Sequence, residues 1–549
     1  MKHFGWIAGS WATALLLGLP VLALVFSAFS ADGELFAHLA DTVLPDYLRN
    51  TSGLVLGVVC LSLLFGVPTA WLVAMCEVPG RRALQWALML PMAMPSYIVA
   101  YVYTDLLDYS GPLQAGLRAL FGWQGPADYW FPAIRSLGGA AWVLALVLFP
   151  YVYLLARASF LEQSVSLIHS SRLLGCTPWQ SFRRLSLPLA RPTIMVGASL
   201  VAMETLADFA TVHFFAINTL TTAIYDTWLG YGSLATAAKL SCLMLLAVVL
   251  LIALERRSRQ RQQVFQKSMG FEQPLRYPLG GLRGVLAGLW CWGLVLAGFA
   301  LPFVILFDYG VRYFALSWTP EFVRFAGNSL AISALTALLA MAIALLLGFF
   351  RRLDGGTRSL LPLRLAAMGY AMPGTVLAIG VLVPLTALDF GINDLAEWLG
   401  MPGPGLLLTG TLAAIVFGYL VRFVAIAIGS VESSMSKISP SLDMAARSLG
   451  QGAGGMLRRI HLPLVRRGLF AGAMLVFIES MKELPAALLL RPFNFETLAT
   501  HVYQFVSDEM LERGALGAIV IVLVGLVPLL WINRTLDGPC LLYTSPSPR

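Results

Sequence analysis

Apolar runs of about twenty residues, each long enough for a helix to cross roughly 30 Å of hydrocarbon, recur twelve times along the chain. They lie near 6–28, 52–76, 84–107, 137–161, 193–217 and 234–254, then near 284–308, 328–350, 360–387, 406–430, 469–490 and 515–534. The first follows Lys2 and resembles a secretory leader only superficially. Its apolar stretch from Trp6 to Phe26 exceeds the roughly 7 to 15 residues of a signal core, so it reads as a retained anchor. The pattern predicts an all-α integral membrane protein of about twelve transmembrane helices.

The polar interruptions carry a second regularity. SSRLLGCTPWQSFRRLSLPLARP (170–192) returns as AARSLGQGAGGMLRRIHLPLVRR (445–467), with Gly175 matched to Gly450 and Pro188 to Pro463 at an offset of 275. Asn50-Thr51 likewise matches Asn328-Ser329, Met94-Pro95 matches Met372-Pro373, and Glu204 matches Glu479. Each half holds an even number of spans, so both enter the membrane the same way up as parallel repeats. The division is therefore 1–254 for the first half, 255–283 for a basic, solvated cytoplasmic linker and 284–537 for the second half. Residues 538–549, GPCLLYTSPSPR, resemble nothing else in the chain; they read as a non-native tail and receive no role.

Composition and charge agree with this plan. The chain is 58% hydrophobic and only 12% charged, where soluble domains carry about 25% charged residues. With both termini cytoplasmic, most of the 37 basic residues fall on the cytoplasmic side. Outer loops hold seven, Arg49, Arg118, Arg135, Arg312, Arg324, Arg491 and Arg513, and this asymmetry is the one the positive-inside rule requires. The net charge of +8 is thereby explained by basic loops facing anionic lipid, with no nucleic acid as partner. The six cysteines show no paired or metal-binding spacing.

In each polar copy a short helix ends at Gly175 or Gly450 in a left-handed turn, and the first copy restarts with Thr177 as N-cap and Pro178 at the first helical position. Both are helix-turn-helix elbows on the cytoplasmic surface. A single basic loop would read as a mere connector; two copies with 13 residues from Gly to Pro do not. These residues resemble the EAA loop of binding-protein-dependent ABC importers. The second loop (444–467) keeps Ala445, Ala446, Arg447, Gly450, Leu462 and Pro463, with Met444 in place of the motif's Glu. The first (169–192) keeps Arg172, Gly175, Leu187 and Pro188, with His169, Ser170 and Ser171 in the EAA positions. The resemblance implies the type I permease fold and a coupling helix that docks on a cytoplasmic ATPase dimer. The fused form, with 203–228 and 479–503, is further similar to the permeases of ferric iron importers.

Ionisable residues at membrane depth are functional candidates by default. Glu204 falls about half way along its span, and Asp208 at i+4 shares a helical face with it; Glu479 and Glu483 repeat the arrangement, with Lys482 between them. The four acids read as a candidate translocation path for a cationic cargo, carboxylate oxygen being a hard ligand, with no metal tightly bound because a deep site would trap the cargo. The competing reading makes them helix anchors, with Lys482 paired to Glu479 or Glu483. His213 reads as hydrogen-bonded rather than ligating, and Arg422 as a packing or snorkelling charge.

The chain carries no GxxxxGK[ST] phosphate loop. It therefore reads as a non-enzymatic transport subunit that binds no cofactor, the ATP being used by a separate ATPase partner. The resemblance adds a periplasmic substrate-binding protein as a second partner, a bacterial inner-membrane location, and ferric iron as cargo. Thiamine, sulfate, polyamine or phosphonate are alternatives within the class. A twelve-helix secondary transporter shares the two-half plan, but its Asp-Arg loop is absent from EVPGRRALQ (77–85).

Overall fold

The computed structural model describes residues 4–27, 29, 34–260 and 276–536. The tail 538–549 and linker residues 261–275 lie outside the described residues. We label the long helices α1 (Phe4–Ser27), α2 (Leu44–Met75), α3 (Ser96–Leu107), α4 (Leu137–Leu161), α5 (Pro178–Ala207) and α6 (Leu234–Gln260). The second half supplies α7 (Leu282–Arg312), α8 (Pro320–Asp354), α9 (Gly374–Trp398), α10 (Leu412–Met435), α11 (Ala453–Lys482) and α12 (Leu511–Leu536).

Among the described residues, 10 helices are long and apolar enough to cross a membrane, and 11 if the bent pair Arg81–Ala93 and Ser96–Phe121 counts as one span. The sequence pattern predicts twelve. The difference has two sources. The predicted span 84–107 is broken by a bend of 92°, where Pro95 interrupts the helical path. The predicted span 515–534 is the 26-residue α12, which runs into residues whose side chains are not described.

Three other boundaries also move. The predicted 360–387 is divided at Met372-Pro373, with α9 starting at Gly374. The predicted 193–217 and 469–490 start earlier and stop sooner, at Ala207 and Lys482. The residue before a proline is pushed to extended backbone, and Met94 and Met372 accordingly adopt ψ of 122° and 130°.

Two hydrophobic cores form, and neither coincides with one sequence half. The first is built on α2, α3, α4 and α5 and takes in Cys291, Leu294 and Leu306 from α7 and Ala515, Ala518 and Val522 from α12. The second is built on α8 to α11 and takes in Leu17 and Leu24 from α1 and Ala237, Met244 and Val248 from α6. Each half thus lends its first and last long helices to the other.

The repeat is exact enough to show in individual hydrogen bonds. Asn50 Nδ2 donates to Asn218 O at 3.0 Å, and Asn328 Nδ2 to Glu496 O at 3.1 Å. Thr51 Oγ1 accepts from Leu220 N, and Ser329 Oγ from Leu498 N. These bonds pin the start of a helix capped by Thr219 or Thr497, satisfying orphan amides that membrane depth would otherwise penalise.

The linker is shorter than predicted. The backbone of α6 continues as helix to Gln260, and Tyr277-Pro278 pairs in parallel with Cys76-Glu77. Tyr277 then packs 5.9 Å from Trp71 and beneath Arg172, whose guanidinium carbon sits 4.0 Å from the ring centre. The far end of the linker is therefore fastened to the first elbow.

Candidate functional site

The elbows fold as their residues require. Gly175 and Gly450 have φ of +78° and +75°, the left-handed region that costs glycine least. Around each glycine the same two bonds close the preceding helix: Gly175 N to Arg172 O with Cys176 N to Ser171 O, and Gly450 N to Arg447 O with Gln451 N to Ala446 O. This is the six-to-one and five-to-two pattern of a glycine-terminated helix.

Thr177 caps the restart reciprocally, its Oγ1 accepting from Gln180 N while Thr177 N donates to Gln180 Oε1. Pro188 and Pro463 then enter a helix at positions where an amide is missing and the ring crowds the preceding turn. The turn before each widens to a π-helix, Phe182–Ser186 and Leu457–His461.

The elbow residues divide into an outward and an inward set. Leu173 and Leu174 are 88% and 83% exposed, and Leu449 is 79% exposed. Trp179, Met444, Ala445, Arg447, Leu462 and Pro188 also face outward, whereas Ala446 is buried. Arg172 is held over Tyr277, and Leu187 is half-buried.

One group escapes the motif. Asp443 Oδ2 accepts from Arg352 Nε at 2.7 Å, and Asp443 Oδ1 lies 2.9 Å from His461 Nε2. Arg352 also donates to the carbonyls of Met435 and Ile438. The second elbow is thereby tied to α8 and α10. The sequence offered one sign of it: His461 stands where the first copy has Ser186.

The four acids meet around one cavity of about 370 Å³ between the halves, lined by Glu204, Asp208, Glu479 and Glu483 together with Arg422, Lys482, Ser96 and Tyr151. They do not share helical faces as predicted. Helix α5 stops at Ala207, leaving Asp208 extended at ψ 126°, and α11 stops at Lys482, leaving Glu483 at ψ 120°.

Asp208 and Glu483 each cap the short helix next in the chain, Ala210–Phe214 and Pro485–Leu490. Asp208 Oδ1 accepts from Thr211 N and Val212 N, and its Oδ2 from Ser96 Oγ at 2.7 Å and Thr211 Oγ1. Glu483 Oε1 accepts from Ala486 N, and its Oε2 lies 3.2 Å from Arg422 Nε. Asp208 and Glu483 are thus anchors as well as lining.

Glu204 has no hydrogen-bond partner among the described residues and borders the cavity. Glu479 is about half exposed and is met by Lys482 Nζ at 3.3 Å. Arg422, read from sequence as a packing or snorkelling charge, instead lines the cavity with its side chain 16% exposed. His213 lies outside the cavity lining and hydrogen-bonds through Nδ1 to Tyr503 of the other half at 2.8 Å. Among the described residues no three of His, Cys, Asp and Glu gather closely enough to hold a metal ion; the acids are spread along the wall.

Residues 62–261 match the family described as "Binding-protein-dependent transport system inner membrane component". Over 498 residues, 89% of this chain and 90% of the relative, the sequence is 24% identical to an Fe(3+)-transport system permease protein of Haemophilus influenzae. Over 214 residues, 37% of this chain and 90% of the relative, it is 32% identical to the molybdenum transport system permease protein of Escherichia coli. A sulfate transport system permease protein of Escherichia coli is 27% identical over 210 residues, 37% of this chain and 67% of the relative. With multiple membrane-crossing helices, a two-half repeat and these relatives, the chain belongs to the family of binding-protein-dependent transport system inner membrane components.

Proposed function

We propose that the chain is the complete membrane pore of an ATP-driven importer whose cargo is ferric iron delivered by a periplasmic binding protein. The observation that carries the reading is the cavity between the halves, where Glu204, Asp208, Glu479 and Glu483 outnumber the two cations Arg422 and Lys482. An excess of carboxylate in a low-dielectric cleft attracts a hard cation. Its spread along the wall gives several weak contacts in place of one deep trap. The likeness to a ferric permease extends over nearly the whole chain.

The elbows supply the drive. Their exposed leucines, with Trp179 and Met444, offer apolar knobs to a cytoplasmic ATPase, taken to be a homodimer because the elbows come as a near-symmetric pair. Both chain termini lie on that same side. The pore binds no cofactor of its own, and ATP is consumed by the partner.

A second reading, oxyanion cargo, draws on Arg422 and Lys482 in the same cavity and on the molybdenum and sulfate relatives. Radiolabelled ferric iron, molybdate and sulfate offered to cells with and without the gene separate the two. Gene-dependent iron uptake alone supports the first reading, and gene-dependent uptake of an oxyanion alone overturns it.

A further inference from the structure

The two halves match around the cavity in their acids but not in their cations. Glu204 answers Glu479 and Asp208 answers Glu483, each at an offset of 275, but Val147 and Ala207 stand where the second half has Arg422 and Lys482. All of these residues line the cavity. Both cations therefore come from one half.

The local packing shows how Arg422 is accommodated. In the first half Ser96 donates its hydroxyl to Asp208. At the matched position of the second half stands Gly374, and a Cβ added there would come within 2.7 Å of Arg422 Nη1 and 2.8 Å of Glu483 Oε1. The missing side chain opens the slot in which guanidinium and carboxylate meet. Arg422 spends one edge on Glu483 through Nε, while its Nη1 is buried without a hydrogen-bond partner.

We propose that Arg422 is a tethered counter-ion of the translocation path: it occupies the carboxylate of Glu483 while the cavity is empty, yields it to a multiply charged cargo, and so denies the path to small free cations. This rests on reading the cavity as a cation path. The physical case is that a guanidinium fixed by a single nitrogen contact holds its carboxylate less firmly than a bidentate pair does. A trivalent cation gains more from the lining carboxylates than Arg422 or a sodium ion does. Cleft charge sets local counter-ion concentration, so removing a resident positive charge leaves the path open to ions it normally excludes.

The test uses the whole transporter, with its ATPase and binding protein, in liposomes. Sodium leak during ATP turnover and ATP-driven uptake of radioactive ferric iron are followed together. For Arg422→Gln we expect sodium leak to rise about tenfold or more, the scale on which cleft charge alters local ion concentration, with Arg422→Lys restoring most of the tightness. Unchanged leak in an assembled, ATP-hydrolysing Arg422→Gln transporter overturns the proposal and leaves the cargo assignment standing. Leak that responds to Arg422 while no iron is transported overturns the cargo assignment and not the counter-ion.

If Arg422→Gln fails to assemble, Glu483→Gln carries the test, because it frees Arg422 inside the path. Iron uptake should then fall several-fold with leak still low, and undiminished uptake would count against the proposal.

Discussion

Asp443 and Arg352 lie 2.7 Å apart, joining the first helix of the second elbow to the end of α8, with His461 closing the group from α11. The first elbow has no such brace among the described residues and leans instead on Gln163, which donates to Ser186 O, and on Tyr277. The second elbow is thus joined directly to membrane helices. Breaking a buried pair by removing one partner costs about 3–5 kcal/mol. Asp443→Ala should lower the thermal stability of the purified protein and reduce transport per ATP hydrolysed, and His461→Ser, which copies the first elbow, should do so less. Equal stability and coupling in Asp443→Ala would show that the brace is dispensable.

The glycine turns give a prediction free of packing effects. A Cβ added at Gly175 or Gly450 would meet nothing within 4 Å, so Gly450→Val is penalised only by its left-handed backbone, by roughly 1–2 kcal/mol. The expected result is a stable protein that stimulates its ATPase poorly, with Gly450→Asn, a residue that tolerates this region, intermediate. Full transport by Gly450→Val would remove the turn from the coupling mechanism.

Much of the architecture is legible in the sequence. Span positions follow from hydropathy, and the elbows from Gly, Thr-Pro and Leu-Pro at matched spacing. The shared acidic faces fail because they require helix continuity past Ala207 and Lys482, where both helices stop. Pro485, which opens the next short helix, is a usable sign of the second break because proline favours the first helical position, whereas the first half has Phe209-Ala210 and gives no such sign. The exchange of helices between cores leaves no trace in a sequence repeat, which shows which residues correspond but not which half they pack against. Arg422 cannot be told from a snorkelling charge without its partner Glu483.

That exchange makes its own prediction. Residues 1–254 expressed alone lack the α7 and α12 surfaces that complete their core, and 284–537 alone lacks α1 and α6. Each fragment should be readily cleaved by protease in detergent, and co-expression should yield a resistant complex. Protease resistance of either fragment by itself would contradict the arrangement of the cores.

The matched anchors allow an internal control. Thr51 and Ser329 accept from the amides of Leu220 and Leu498, and an unsatisfied buried donor costs about 1–3 kcal/mol. Thr51→Val and Ser329→Ala should therefore lower thermal stability by similar amounts. A large effect at one position and none at the other would mean that the two halves are not equivalent there.

Asp208 and Glu483 hold helix ends, whereas Glu204 has no hydrogen-bond partner among the described residues and the half-exposed Glu479 meets only Lys482 from its own helix, so Glu204 and Glu479 are the acids proposed to act on the cargo and not on the fold. The direct measurement is ATP-driven uptake of radioactive ferric iron by the reconstituted transporter carrying Glu204→Gln and Glu479→Gln together, with ATP hydrolysis recorded in the same vesicles. Near-normal assembly and hydrolysis are expected, with iron uptake reduced about tenfold or more, in line with the effect of cleft charge on local ion concentration. Uptake equal to that of the unaltered protein would show that Glu204 and Glu479 do not act on the cargo.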